Sequence, residues 1–151
     1  MYEYRRFGPD DLQLMRDLVQ VFADVFGERE TYLSAPPRDA YLGNLLGREN
    51  FIALAALEGE TVVGGLAAYV LDKFEQERSE IYIYDLAVAE AHRRKGIATA
   101  LIRRLQDLAK SCRAWVIFVQ ADSGDEPAMK LYASLGARED VHHFDIPVTE
   151  D

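Results

Sequence analysis

The residues best suited to chemistry lie where a strand-like run passes into a helix. The run "IYIYDLAV" (81–88) contains one carboxylate, Asp85, among branched and aromatic residues. Three adjacent basic residues and a glycine follow it, namely Arg93, Arg94, Lys95 and Gly96. Cations at a helix N-terminus oppose the helix dipole by about 0.3–1 kcal/mol each, unless they hold an anion. Free N–H groups of a first helical turn bind phosphate. The pattern therefore favours an anion site at 93–99, although a basic turn that only meets solvent is the alternative.

Known phosphate-binding patterns restrict what this turn can be. The loop G-x-x-x-x-G-K-[ST] and the dinucleotide pattern G-x-G-x-x-G are both absent from the chain. The turn instead reads R-x-x-G-x-A over 93–98, directly after the strand-like run. Gly96 allows a ligand to approach the main chain, and Ala98 keeps the first turn narrow.

Composition limits the class of protein. The 151 residues carry a net charge of −9, and Cys112 is the one cysteine. A net acidic chain is a poor partner for nucleic acid but suits a cationic small molecule, although acidity also serves solubility alone. No apolar run is long enough to span a membrane, and the N-terminus lacks the apolar core of a signal peptide. We expect one cytoplasmic domain, 1–151.

Periodicity and turn residues predict an α+β domain with a mixed sheet. Turn formers and two prolines predict a loop at 27–37, and Glu58-Gly59-Glu60 predicts a hairpin turn. The expected order is strand, two helices, three strands, helix, strand, helix and strand. Strands are expected at 3–7, in the hairpin 50–72, and at 81–88, 114–121 and 141–148. Helices are expected through Phe26, at 38–48, after Gly96 and at 125–137.

Several segments together resemble one enzyme superfamily. The R-x-x-G-x-A turn, "VVGGLAAYV", "PAMKLYASLGAR" and the element order resemble the GCN5-related N-acetyltransferases (GNAT). Longer stretches are similar to the type I aminoglycoside 3-N-acetyltransferases, which modify gentamicin-class antibiotics. These stretches are "FIALAAL", "LAAYVLDKFEQERSEIYIYDLAV", "HRRKGIATALI" and "VQADSGDEPAMKLYASLGARE".

The resemblance implies a GNAT acyl-CoA N-acyltransferase fold, with a mixed sheet of six to seven strands and about four helices. It implies acetyl transfer from acetyl-CoA to the 3-amine of an aminoglycoside, by direct attack in a ternary complex, and hence antibiotic resistance. From the charge, the hydropathy and the lack of a metal-ligating pattern we expect no metal, nucleic acid or membrane partner, and a homodimer is a possible assembly. Another amine (a polyamine, a peptide N-terminus or a lysine) is the alternative acceptor. A sensor that binds acetyl-CoA without turnover is the other alternative.

By the same resemblance, acetyl-CoA binds where the fourth and fifth strands separate. Main-chain groups at the end of the fourth strand would pair with the pantetheine arm, and the basic turn would hold the phosphates. The implied contacts are Leu86, Ala87, Val88, Arg93, Arg94, Lys95, Gly96, Ile97, Ala98 and Thr99.

Asp85 and Glu80 are the candidate bases that would deprotonate the acceptor amine. Asp85 is preferred, because packing does not explain a carboxylate within this strand. Either acid would alternatively serve as a counter-charge for the substrate. A backbone N–H near Val88 would stabilise the oxyanion. Tyr132, in "KLY", matches the family tyrosine that protonates the CoA thiolate, although helical spacing alone would make it a core aromatic.

Other acids are candidate contacts to a cationic substrate, and each is alternatively an ordinary surface charge. They are Asp122, Asp145, Glu28, Asp125 and Glu126. The first two are preferred, because each follows a strand-like run. Adjacent His142 and His143 would face opposite sides of a strand, so they do not form a convincing metal site.

Overall fold

A computed structural model describes residues 1–149 of the chain. They form five strands, five α-helices and one short 3₁₀ turn, which confirms the α+β class. The elements are β1 (Glu3–Arg6), α1 (Leu12–Phe26), α2 (Arg29–Leu33), α3 (Asp39–Leu46), β2 (Phe51–Glu58), β3 (Thr61–Asp72), β4 (Ser79–Val88), the 3₁₀ turn (Glu90–His92), α4 (Ile97–Ser111), β5 (Ala114–Val119) and α5 (Glu126–Leu135).

Two compact units make up the chain, Met1–Gln120 and Ala121–Asp151. The first contains the whole sheet and helices α1 to α4, and the second contains α5. The expected single domain, 1–151, stays a prediction, and its last two residues lie outside the described ones.

The sheet runs in the order β1-β2-β3-β4-β5. Its first four strands are antiparallel neighbours, whereas β4 and β5 are parallel, so the sheet is mixed as expected. The β2–β3 turn falls at the predicted glycine, where Gly59 has a φ of +62°. The described residues form five strands, so the expected six to seven strands were too many.

Helix α1 packs closely on the sheet because β3 contains a glycine beneath it. Leu18 and Phe22 of α1 are buried in the core. A Cβ atom at Gly65 would lie 2.6 Å from a Leu18 methyl carbon and 2.8 Å from the carbonyl oxygen of Leu54. A side chain at this position would therefore push α1 away from the strands that it covers.

The loop predicted at 27–37 was wrong, because the five-residue helix α2 lies within it. Aromatic contacts stabilise this helix, since the ring of Tyr32 lies 6.2 Å from that of Phe22 and 6.0 Å from that of Phe26. An ion pair between Arg29 and Asp24 links it to α1. Tertiary packing thus overrides the turn-forming composition of the segment.

The strand predicted at 141–148 was also wrong, because the segment forms no strand. Its residues are exposed, and none takes part in the strand pairing of the described chain. Alternating sequence alone does not make a strand, since the backbone groups need a partner strand. Pro147 also removes one N–H donor from the segment.

Candidate functional site

The sheet has an open edge at the end of β4. Strand β4 pairs with β5 over Ser79–Ile83, opposite Ala114–Val119, and then continues alone as far as Val88. From Tyr84 onward, this edge of β4 faces no strand within the described residues. Strand β4 thus extends beyond the end of β5, where the family resemblance places the cofactor arm.

Main-chain groups at this edge are directed by the regular alternation of the strand. The N–H of Ala89 donates to the carbonyl oxygen of Val63 in β3, at 2.8 Å. Alternate residues point their N–H and C=O groups to opposite edges, so those of Leu86 and Val88 face the open edge and those of Ala87 face β3. Leu86 and Val88 are therefore the residues that can pair with an extended ligand.

The basic turn has the backbone shape of an anion site. Arg94 and Gly96 both adopt positive φ, 63° and 77°. Gly96 caps α4 and its carbonyl accepts the N–H of Ala100, at 3.0 Å. The N–H groups at 97–99 consequently have no acceptor within the helix. Open space surrounds the position that a Cβ of Gly96 would occupy.

Exposed cations directly precede these N–H groups in the chain. Arg93, Arg94 and Lys95 are all exposed, and none makes an ion pair within residues 1–149. The Nε of Arg93 donates to the carbonyl oxygen of Val88 at 3.2 Å, which links the turn to the open edge. The turn and the edge together fit a ligand that carries phosphates at one end and an extended amide chain at the other.

A β-bulge in β4 places Asp85 on the face of the sheet opposite to that of Ile81 and Ile83. The β3–β4 register shifts so that Ala67 faces Asp85 and Ala68 faces Ile83, which leaves Tyr84 as the extra residue. One extra residue reverses the facing of every later side chain. Asp85 thereby points towards α2 instead of joining Ile83 in the core.

Two residues of the α2 region influence Asp85, one through a hydrogen bond and one through its charge. The hydroxyl of Tyr32 donates to its Oδ2 at 3.0 Å. Burial raises the pKa of Asp85, the Tyr32 hydrogen bond lowers it, and the negative charge of Glu28 raises it again. The net pKa lies above the usual value for an aspartate. Asp85 is thus a stronger base than a solvated carboxylate.

Glu80 lies apart from Asp85. It belongs to the paired part of β4, five residues earlier, or roughly 17 Å along a strand. Its Oε2 accepts the indole N–H of Trp115 at 3.0 Å, and its Oε1 lies 3.7 Å from the Nζ of Lys73. The structure therefore does not bring the two candidate bases together.

A row of aromatic rings adjoins Asp85, and the sequence analysis did not include it. Ring centroids are separated by 6.0 Å for Tyr69–Tyr84, 5.7 Å for Tyr84–Tyr82 and 4.7 Å for Tyr82–Phe118. Burial, nearby tyrosines and then Asp85 raise the pKa of Tyr69 and of Tyr82. The alternating pattern of β4 could have indicated that Tyr82 and Tyr84 lie near Asp85. Their neighbours Tyr69 on β3 and Phe118 on β5 could not be identified, because those contacts depend on the register between strands.

The second unit places its candidate residues on and around α5. Burial, and then the charge of Asp125, raises the pKa of Tyr132 to about 12. Asp125 caps α5 by accepting the N–H of Ala128 at 3.2 Å, and Glu126 lies in the first turn. These two acids thus already stabilise the helix start.

The remaining two acids of this unit are exposed. Asp145 is hydrogen-bonded to the Nε2 of His143 at 2.8 Å. The backbone carbonyl of Asp122 accepts the N–H of Asp125 at 2.9 Å. Their expected contact with a cationic substrate stays a prediction.

Two classes of feature are absent from the described part of the chain. Residues 1–149 contain no group of three metal-ligating side chains of the His, Cys, Asp or Glu type. Among their helices, none has the length and apolar character needed to cross a bilayer.

Known proteins are similar to this chain in sequence and fold. Residues 13–137 match the family described as Acetyltransferase (GNAT) family. An aminoglycoside acetyltransferase from an uncultured soil metagenomic sample is 57% identical, with a TM-score of 0.96 over 99% of both chains. A second soil aminoglycoside acetyltransferase, solved in complex with sisomicin, is 32% identical with a TM-score of 0.90, over 98% of this chain and 97% of its own.

Curated relatives are more distant. Streptothricin acetyltransferase from Streptomyces lavendulae is 25% identical over 89% of this chain and 80% of its own length. N-acetyltransferase 8B from Rattus norvegicus is 28% identical over 59% of this chain, which spans only 40% of that protein.

Proposed function

The chain belongs to the GNAT family of acetyltransferases, and on that premise we propose that it acetylates the 3-amine of an aminoglycoside with acetyl-CoA. Such a modification would give resistance to gentamicin-class antibiotics. The observation that carries the proposal is the position of Asp85, a carboxylate of raised pKa at the start of the open edge of β4. The likeness to aminoglycoside acetyltransferases supports the class of acceptor.

Acetyl-CoA would lie along the open edge and the basic turn. Leu86 and Val88 would offer backbone hydrogen bonds to the pantetheine amides, while Ala87 would contribute through packing alone. The N–H groups of Ile97, Ala98 and Thr99 would receive the pyrophosphate, as first-turn donors do. The side chains of Arg93, Arg94 and Lys95 would add charge neutralisation, because they form no ion pairs within residues 1–149. When bound, acetyl-CoA supplies the activated acetyl group.

Asp85 would take the proton from the acceptor ammonium, directly or through one water. A free amine must attack a thioester, and aminoglycoside amines are largely protonated near neutral pH. Burial and Glu28 raise the pKa of Asp85, which brings it closer to the pKa of the amine that it must deprotonate. Tyr32 would hold the carboxylate in place through its 3.0 Å hydrogen bond.

Two further donors would act on the acetyl group and on the leaving sulfur. The N–H of Val88 would stabilise negative charge on the carbonyl oxygen, since alternation directs it to the open edge. Tyr132 would give its phenolic proton to the departing thiolate, so that CoA leaves as the thiol. The raised pKa of Tyr132 keeps this proton in place at neutral pH.

Recognition of the polycationic acceptor would begin at Glu28 and Asp85. Both negative charges lie close enough to Tyr32 to raise its pKa. Two neighbouring carboxylates suit a sugar that carries several ammonium groups. The row Tyr69, Tyr84, Tyr82 and Phe118 would provide apolar surface for the sugar rings. Asp122 and Asp145 are proposed as outer contacts, with Asp125 and Glu126 in a lesser role because they stabilise α5.

Release of CoA thiol, measured with gentamicin, kanamycin, spermidine and a lysine peptide, tests the proposal. We expect turnover with gentamicin and a product acetylated at the 3-amine by NMR. Gentamicin already acetylated at that amine is the matched control and should not react. Preference for spermidine or the peptide would identify another acceptor class. Acetyl-CoA binding without turnover of any amine would contradict the enzyme proposal and favour a sensor.

Two further features belong to the proposal. Action in the cytoplasm would place the enzyme beside its acetyl-CoA supply and its antibiotic target. A homodimer is proposed as the assembly, because an interface would bury the exposed apolar residues of segment 141–148.

A further inference from the structure

A contact from the N-terminal end of β1 holds the start of the basic turn. His92 ends the 3₁₀ turn, and its N–H donates to the carbonyl oxygen of Ala89 at 2.9 Å. Its Nδ1 is hydrogen-bonded to the hydroxyl of Tyr2 at 2.9 Å, and the two rings meet edge to face with centroids 5.7 Å apart. His92 is half-buried, whereas residues 93–96 after it are exposed. One side-chain pair thus joins the turn to a residue 90 positions earlier.

The other end of the turn is held by the core. Helix α4 begins at Ile97, which is buried together with Leu101 and Leu105. Strand β1 adds one contact to this helix, since the guanidinium carbon of Arg104 lies 4.9 Å from the ring centroid of Tyr4. Three buried side chains stabilise the helix far more than one exposed cation–π contact. The position of α4 therefore does not depend on Tyr4.

The segment between these two ends has few contacts of its own. Residues 93–96 make one side-chain hydrogen bond within residues 1–149, from the Nε of Arg93 to the carbonyl oxygen of Val88 at 3.2 Å. Arg94 and Gly96 have positive φ, a backbone region that costs a residue with a side chain conformational energy. The shape of the segment is therefore set largely by the residues that fix its ends.

We propose that Tyr2 and His92 are positioning residues for the cofactor, because their contact holds segment 93–96 in the shape that binds the phosphates. A turn that is ordered before the ligand arrives loses less conformational entropy on binding, so its affinity is higher. Both residues act through the turn, and neither need touch acetyl-CoA itself. The inference rests on the acetyl-CoA site of the proposed function and names the residues that hold it in place.

The chemistry of the pair determines which replacements preserve the contact. A neutral imidazole has one donor and one acceptor nitrogen, and a phenol both donates and accepts. Asparagine at position 92 would place its Oδ1 near the position of the Nδ1 of His92, where it can accept from the hydroxyl of Tyr2. Leucine there would fill similar space without any hydrogen-bonding atom. The two replacements therefore separate the hydrogen bond from the packing.

Calorimetric titration with acetyl-CoA provides the first test. Tyr2→Phe keeps the ring and removes the hydroxyl, so its Kd for acetyl-CoA should rise by about 3–10-fold, the equivalent of one hydrogen bond. His92→Leu should bind as weakly, whereas His92→Asn should keep the wild-type affinity. Tyr4→Phe is the matched control, because it removes a hydroxyl two residues along the same strand and keeps the ring that Arg104 contacts. Its affinity should not change.

Amide hydrogen exchange in the protein without acetyl-CoA provides the second test. The N–H groups of His92 and Arg93 donate to the carbonyl oxygens of Ala89 and Glu90, at 2.9 and 3.3 Å. Both amides should exchange faster in Tyr2→Phe than in the wild-type chain, because the 3₁₀ turn opens more often. The amides in the middle of α4 should exchange at the wild-type rate. Unchanged exchange at both positions would show that Tyr2 does not hold the turn, and would overturn the inference.

The binding results separate this inference from the proposed function. A wild-type chain that binds acetyl-CoA as tightly as Tyr2→Phe does would overturn the inference alone. A loss of affinity in His92→Asn equal to that in His92→Leu would also overturn it, because packing rather than the hydrogen bond would then matter. A wild-type chain that binds no acetyl-CoA would overturn the cofactor site of the proposed function, and this inference with it.

Discussion

The hydroxyl of Tyr32 donates to the Oδ2 of Asp85 at 3.0 Å, joining a five-residue helix to the strand that borders the open edge. The bond opposes two other influences on the same carboxylate. Burial and the charge of Glu28 raise the pKa of Asp85, whereas a hydrogen bond to the ionised form lowers it. The basicity of Asp85 is therefore set partly by a residue 53 positions earlier in the chain.

Replacing Tyr32 by Phe should move the acidic limb of the pH–activity profile to higher pH. The ring remains, but the bond that favours ionised Asp85 is lost, so the pKa of Asp85 rises further. More of the enzyme then carries a protonated base at a given pH below that pKa. The profile of kcat/KM measures this shift. Tyr4→Phe, on β1, is the control and should leave the limb in place. A fall in kcat without a shifted limb would reduce Tyr32 to a packing role.

Replacing Asp85 by Asn should lower kcat by about 10²–10⁴-fold, the range for loss of a general base. The affinity for acetyl-CoA, measured by calorimetry, should change little, because the amide keeps the shape of the side chain. Glu80→Gln provides the comparison, since Glu80 is engaged by Trp115 and Lys73 in the paired part of β4. A larger loss in the Glu80 variant would transfer the base role to that residue.

Local patterns in the sequence were sufficient for much of the fold. Glycine at position 59 specified a hairpin turn that the structure confirms, with φ of +62°. Basic residues followed by Gly96 predicted the turn before α4, and Gly96 does cap that helix. These features depend on neighbours in the chain, which is why periodicity and turn chemistry identify them.

Features that depend on distant contacts were not predictable. The bulge at Tyr84 reverses the facing of Asp85, and nothing in "IYIYDLAV" marks an extra residue. Tyr32 lay in a segment predicted to be a loop, and its helix depends on rings from α1. The segment 141–148 had alternation typical of a strand but pairs with no strand in the described chain. In each case the local conformation is decided by contacts with residues distant in the sequence, rather than by the local sequence.

Replacing Gly96 by Ala should weaken acetyl-CoA binding beyond its effect on stability. Gly96 and Gly59 share a positive φ, 77° and 62°, and a Cβ at either would meet nothing within 4 Å. Both alanine variants should therefore lose about 1 kcal/mol of unfolding free energy from the left-handed backbone. Only the Gly96 variant should bind acetyl-CoA more weakly, because its methyl group occupies the proposed approach of the phosphates. Equal affinities in the two variants would argue against a phosphate site at this turn.

Replacing Tyr132 by Phe should reduce turnover and leave acetyl-CoA binding nearly unchanged. The variant keeps the ring but removes the phenolic proton proposed for the leaving thiolate. Because the pKa of Tyr132 is raised to about 12, the wild-type enzyme should keep this proton through pH 10. Stopped-flow release of CoA thiol measures the step. Unchanged turnover would remove Tyr132 from the mechanism and leave it a packing residue of α5.

Replacing Gly65 by Ala should destabilise the protein by about 1–3 kcal/mol, the usual cost of forcing an additional carbon into a packed core. The new Cβ would lie 2.8 Å from the carbonyl oxygen of Leu54, which belongs to the backbone of β2 and moves only with the strand. Gly43→Ala is the matched control. Gly43 lies within α3, where a Cβ meets its nearest neighbour, a Leu12 methyl carbon, at 4.0 Å. That variant should gain about 0.5–1 kcal/mol from helix propensity. Urea unfolding of both proteins gives the comparison, and equal stability would show that α1 moves away from β3 without cost.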